Sequence, residues 1–239
     1  MSLRTPLDVG LGEFLCRWYA QLIPDTPQMA EFVARGAAQS IGFVPGRMID
    51  KVEDMIAEYR KNDNNGTPGL SSALPVVLVA ISKDFNPAPP EWGQSIGSAI
   101  WVTSPDDPEQ RAFKVQLSFN EYRAQLAFVS PEAHSVHSLA TQFNAFTQPG
   151  NAFGGGRRFP VIYEFAGFGN TFNAVLEAVD IAAVAQHPEQ SNLSITVADI
   201  MIRLTVPLFR APGATEPTDG KPAPSGYPLV TSVNVKGKS

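Results

Sequence analysis

Few residues in this 239-residue chain carry reactive chemistry: it has three histidines and one cysteine. His134 and His137 lie at i and i+3, a spacing that turns two imidazoles toward one metal ion on a helix. No glutamate stands between them and no third histidine or cysteine is adjacent, unlike zinc-protease signatures. The pair therefore reads as a polar helix face. Gly93-Gln94-Ser95-Ile96-Gly97 fits the letters of a G-x-S-x-G nucleophile elbow. That elbow needs a strand before the serine and a helix after it. Here a proline-rich loop precedes and a short strand is expected to follow, so no hydrolase is expected. Gly154-Gly155-Gly156-Arg157-Arg158 combines free amides with two guanidiniums, groups suited to an anion. Nucleotide loops run strand to helix; this one follows a helix pattern and precedes a strand pattern. It reads as a flexible loop, or as a loop that touches DNA backbone or a neighbouring subunit, which makes Arg157 and Arg158 the candidate DNA-facing or interface residues.

The remaining candidates are weaker. Cys16 lies in an apolar helical stretch and reads as a small buried hydrophobe. Asp106, Asp107 and Glu109 crowd one polar turn without a calcium-loop pattern, so solvation is expected. Trp92 and Trp101 suit packing in a core or interface better than ligand stacking. His187 falls in a loop beside Pro188. No catalytic set, cofactor site or metal site is expected, and the chain reads as a non-enzyme.

The elements around these residues are better specified. Leu7, Leu11, Phe14, Leu15, Trp18, Tyr19 and Leu22 recur at helical spacing, and Pro24 closes that helix. A second helix is expected from Pro27 to about Ala38. A third starts near Pro45 and carries Met48, Ile49, Val52, Met55, Ile56 and Tyr59 on one stripe. Lys61–Ser72 is a loop by its Asn, Asp, Gly and Pro content. Leu74–Ile81 is a continuous apolar run of strand length, suited to burial on both faces. A proline-rich loop, Asn86–Gly93, and a short strand, Ser98–Thr103, follow.

Phe113 to Phe119 and Tyr122 to Phe128 each alternate apolar and polar residues. They form either a hairpin turning at Asn120-Glu121 or one long bent strand. Ser130-Pro131-Glu132 marks a helix start, with a hydroxyl cap, proline at the first position and an acid near the positive end of the helix dipole. Val136, Leu139, Ala140, Phe143 and Phe146 form its apolar face, and Pro149-Gly150 ends it. Strands are expected over Phe159–Phe165, Phe172–Val179 and Asn192–Phe209, with a bend at Gly167 and Gly169. Leu193, Ile195 and Val197 alternate out of phase with Ile200, Ile202, Leu204 and Val206, so a bulge is expected near Ala198-Asp199. From Ala211 onward, prolines and glycines cluster as in an extended tail, with Val230, Val233 and Val235 able to pair with a neighbour. Three regions result: a helical region over 1–61, an α/β core of α+β type over 62–210, and a Pro/Gly-rich extended tail over 211–239.

Composition agrees with a globular core. Apolar residues make up 44% of the chain and charged residues 17%, below the usual quarter or so. The neutral surface this leaves suits subunit contact. The net charge of −5 provides no global basic field for nucleic acid or anionic lipid. No signal segment or membrane span is evident, and the lone cysteine rules out an intramolecular disulfide.

The order of elements resembles the tail-terminator and neck proteins of tailed bacteriophages, contractile-tailed ones in particular. The matching pieces are Asn62-Asp63-Asn64-Asn65-Gly66 leading into Leu74–Val79, the elements between Arg111 and Phe146, Arg158-Phe159-Pro160, and Asn192–Phe209. The resemblance implies a mixed or antiparallel sheet packed against helices, and a ring-forming structural subunit, commonly six-fold. It implies contact with tail tube, sheath and head-connector proteins, a channel for DNA, synthesis in the host cytoplasm and residence in the virion. A ring of identical subunits needs heterologous contacts, and exchange of residues 211–239 between neighbours is one way to make them. The competing class is a non-enzymatic module that binds a ligand or another protein.

Overall fold

The structure, a computed structural model, describes residues 5–44, 74–87, 100–150, 155–183 and 193–228. Four helices lie among them: α1 (Thr5–Tyr19), α2 (Pro27–Arg35), the short α3 (Ala37–Ser40) and α4 (Ala133–Thr147). Seven strands form one sheet: β1 (Ile41–Phe43), β2 (Val76–Pro87), β3 (Ile100–Thr103), β4 (Ala112–Ser130), β5 (Arg158–Phe165), β6 (Phe168–Ala183) and β7 (Ser194–Arg210). Their order is β1-β2-β4-β7-β6-β5, with β3 alongside β4. Only β1–β2 is parallel; the other pairs are antiparallel. The fold is of the α+β class, with a mixed and strongly curled sheet. The third helix expected from Pro45, the loop to Ser72 and the segment carrying Val230, Val233 and Val235 lie outside the described residues.

β4 and β7 form the spine. They pair from Lys114–Arg210 to Ser130–Ser194 without a register break. The two alternating runs of β4 are therefore one long strand, and no turn occurs at Asn120-Glu121. The bulge expected at Ala198-Asp199 is also absent from this ladder. The phase changes have another cause. One face of the sheet carries Tyr122, Ala124, Leu126, Phe128, Ala198, Ile200, Ile202 and Leu204 into the main core. The opposite face buries a smaller cluster at one end, Val76, Leu78, Ala80, Ala127 and Val129, against which Leu193, Ile195 and Val197 pack, and it buries Phe113 and Val115 at the other. Apolar residues switch phase because the covered face changes while the strand continues. β2 serves both clusters, so Val76–Ile81 is buried on both sides, as its unbroken apolar run predicts. The register shifts that do occur lie in β6, between Leu176 and Ala178 against β7, and in β2, between Ile81 and Phe85 against β4.

Helices cover the main core. The stripe predicted for the first helix is buried, and Trp18 meets Phe143 edge-on at 5.5 Å and Phe128 at 5.9 Å. Cys16 corrects the expectation: it is exposed, one residue off that stripe. α4 begins at Ala133, two residues later than Pro131 suggested. Ser130 Oγ accepts from Glu132 N–H at 3.2 Å, so its hydroxyl serves the turn before the helix. A polar seam ties the α1–α2 loop to α4. Thr26 Oγ1 accepts from Met29 N–H at 3.1 Å and lies 2.7 Å from Ser135 Oγ, while Gln142 bonds both the N–H and the carbonyl of Ile23 at 2.9 Å.

The far end of the sheet curls. β5 and β6 form a two-residue hairpin whose loop residues, Ala166 and Gly167, have φ of 56° and 85°. Two positive values are the mark of a type I′ turn. β6 pairs with β7 only up to Ala174–Leu204, so Phe168 to Asn173 peel away. In a flat sheet β5 would lie about 14 Å from β4, three strand spacings away. Instead Phe165 meets Phe113 at 5.0 Å and stacks on Phe209 at 4.9 Å.

Candidate functional site

The described part of the glycine-arginine loop, from Gly155, leads into β5 close to the end of α4. Gly156 N–H donates to Phe146 O at 2.8 Å. A Cβ on Gly155 would fall 2.4 Å from that same carbonyl oxygen. Gly156 has φ of 119°, a conformation that favours glycine. These two glycines let the chain pass closely under the helix end, and the Gly156 amide, a candidate donor to an anion, is already bonded. Arg157 is half-buried and donates from Nη1 to Glu177 O at 3.1 Å, across to the β6 bulge. Arg158 opens β5 with its side chain exposed. Adjacent in sequence, the two arginines differ: one is tied to backbone, the other faces solvent.

His134 and His137 are both exposed on α4, and His134 Nε2 lies 3.6 Å from Asp25 Oδ2. No three His, Cys, Asp or Glu side chains gather in a metal-holding group among the described residues. Gly93–Gly97, Trp92 and His187 lie outside those residues.

Asp107 overturns the expectation of a solvated turn. It is 2% exposed, and its carboxylate accepts from Arg111 Nε at 2.7 Å, Arg111 Nη2 at 3.1 Å, and the amides of Glu109 and Arg111. The hydrogen bond from Arg111 is the largest cause holding its carboxyl below the usual range, and burial opposes it. Arg111 Nη1 also reaches Pro224 O at 3.1 Å.

That contact belongs to a clamp on residues 211–228, which are not free. Tyr227 is 3% exposed, bridges Ala112, and donates from its hydroxyl to Glu216 Oε2 at 2.6 Å. Trp101, half-exposed, meets Tyr227 edge-on at 5.1 Å, and Lys114 Nζ lies 4.2 Å from the Tyr227 ring centroid. The Tyr227 hydroxyl, followed by the Gly213 amide, lowers the Glu216 carboxyl to about 2.

On the solvent face of the β4–β7–β6 region, charges are matched: Arg123 Nε binds Asp199 Oδ1 at 2.8 Å and Arg203 binds Glu177 at 3.1 Å. Paired charges of this kind present little net field to an anionic partner.

The concave feature that sequence reasoning missed is a groove of about 330 Å³ between α1 and β5. Thr5, Pro6, Val9 and Glu13 form one wall, and Pro160, Ile162 and Glu164 the other. Val9 is 56% and Ile162 52% exposed, unusually open for large apolar side chains. Gly10 sets the spacing of the walls: a Cβ there would fall 2.8 Å from Pro160 O. Two signals could have pointed here, a glycine inside the buried stripe of a helix and a proline inside a strand pattern. Chemically the groove offers apolar contact, two carboxylates and a strand edge. Its residues include no nucleophile-base pair.

No helix among the described residues is long and apolar enough to cross a membrane. Compared with known proteins, the chain matches no family model and no curated sequence at a significant level.

Proposed function

We propose that this chain is a structural subunit of a phage neck or tail, a ring-forming tail terminator or connector. It would join tail tube or sheath to the head and leave a channel for DNA. Six copies per ring and residence in the virion follow from the same resemblance. The observation that carries the reading is the asymmetry of the sheet's two ends. One end is the eight-residue β5 with an apolar groove beside it; the other is the three-residue β1. Unlike ends are what a heterologous, ring-closing contact between identical subunits uses. Arg158 is the candidate DNA-facing or interface position, since its side chain is exposed while Arg157 is internally bonded.

Light scattering coupled to size exclusion, with negative-stain imaging of the same fractions, tests this. We expect closed rings with a mass several times 25.8 kDa. A monomer at all concentrations, alone and with tube and connector proteins added, would refute it. The groove itself favours a second reading, a non-enzymatic binding module, because its volume falls at the low end of small-ligand sites. That module would remain monomeric and keep a ligand through purification.

A further inference from the structure

We propose that the groove between α1 and β5 binds an organic cation carried on an aliphatic stem, an alkylammonium by chemical class. The inference goes beyond the ring reading and rests on the second one, the groove as a binding site, whose ligand class it names.

The two walls arise from two periodicities. Side chains alternate across β5, so Phe159, Val161 and Tyr163 enter the main core while Pro160, Ile162 and Glu164 stand on the other face. Thr5, Val9 and Glu13 recur every four residues along α1, beside the buried stripe of Leu7, Leu11 and Phe14. Gly10 lets helix and strand close up: a Cβ there would lie 2.8 Å from Pro160 O and 3.1 Å from Val161 Cγ2. Pro6 and Pro160, each with a fixed φ, stiffen one wall apiece. The slot is therefore formed in advance, which spares a ligand the cost of ordering it.

The chemistry of the lining selects the ligand. Val9 and Ile162 are its large, exposed apolar groups, and Glu13 and Glu164 its charged ones. Neither glutamate makes an ion pair among the described residues, whereas Asp107, Glu177, Asp199 and Glu216 are each matched by an arginine. Arg17 rests over the Phe14 ring and Arg158 precedes Pro160 in β5, but neither lines the groove. The N-terminus of α1 adds about half a positive charge near Thr5, and Asp8 in the first turn offsets it. Two carboxylates outweigh that half charge, so a cation is favoured and a carboxylate ligand disfavoured. Apolar walls suit methylenes better than a metal ion, and no metal-holding group gathers among the described residues. A cation on a stem meets both demands: its methylenes lie along apolar surface while its head stays at the polar rim.

Methyl NMR of the full-length chain, following Val9 and Ile162, tests this with n-hexylammonium, n-hexanol and hexanoate. The ammonium should shift both methyls and bind about tenfold more tightly than the alcohol, an increment of about 1.4 kcal/mol. Hexanoate should bind most weakly. Added salt should narrow the gap between ammonium and alcohol, because both carboxylates are exposed. Glu13→Gln with Glu164→Gln should erase that gap and leave alcohol binding unchanged, and Ile162→Ser should weaken both. All three substituted side chains are exposed, and unshifted core methyls of Leu126 identify a folded variant. If ammonium and alcohol bind the wild type equally, the groove remains a binding site and the cation class is wrong. A gap that survives the glutamine variant overturns the inference as well. If no probe shifts either methyl, the inference and the binding reading fall together. If the methyls respond to protein concentration and not to the probes, a second copy covers the groove, which overturns the inference in favour of the ring.

Discussion

Gly155 has no room for a methyl group. Its added Cβ would strike the backbone oxygen of Phe146, and a helix end cannot swing aside as a long side chain can. We expect Gly155→Ala to destabilise the fold by about 1–3 kcal/mol, in the range of overpacking, seen as a lower urea midpoint. Gly213→Ala is the control, since its nearest contact is a side-chain oxygen at 3.7 Å. Glu216 is informative for a different reason. Its proton is bound near 4.5 in an ordinary setting and near 2 in the clamp. A depressed carboxyl contributes stability that is complete above the unfolded value and lost as pH falls toward the folded one. The clamp should therefore loosen between about pH 4.5 and about pH 2, reported by fluorescence of Trp101 against Tyr227. Glu216→Gln should loosen it at neutral pH and flatten that acid-induced change.

Among the elements, β6 combines two regimes. Ala174 and Val175 lie between β5 and β7, whereas Phe168 to Asn173 pair with β5 alone and Ala178 to Ala183 with β7 alone. Local opening follows the number of neighbours an element must release. Hydrogen exchange should find the amides of 168–173 well ahead of Leu126 and Phe128, which sit in the part of β4 flanked by both β2 and β7. Equal protection in both places would show that the aromatic contacts of Phe165 with Phe113 and Phe209 clamp the hairpin as firmly as a ladder. The short α1–α2 loop is held by side chains of α4, so that corner derives its order from Ser135, Ser138 and Gln142.

At the scale of the molecule, strand and helix identity was legible wherever one face of an element stays covered throughout. The stripe from Leu7 to Leu22 and the face from Val136 to Phe146 are examples, each directed at the same core. Legibility failed where burial changes sides. Phe113 to Phe119 and Tyr122 to Phe128 look like two strands because periodicity reports which face is covered, and a reversal of coverage resembles a turn. The same confusion produced a bulge at Ala198 when the second cluster claims Ile195 and Val197. Asp107 was illegible because its partner's geometry, a guanidinium folded back over four residues, is not encoded in a run of acids. The groove was illegible for a longer-range reason. Its two walls are some 150 residues apart in sequence, and only the curl of the sheet and the smallness of Gly10 bring them together.

The unbroken β4–β7 register also constrains how this gene can vary in length. One residue gained or lost within β4 would turn every side chain beyond it to the other side. Leu126 and Phe128 would then point into the space of Ala127 and Val129, so a single codon would damage two cores at once. β6 already tolerates an extra residue at Glu177, where the displaced side chain meets Arg203 instead of a core. Insertions and deletions among natural variants should therefore gather in β6 and the hairpin, leaving β4 and β7 fixed in length.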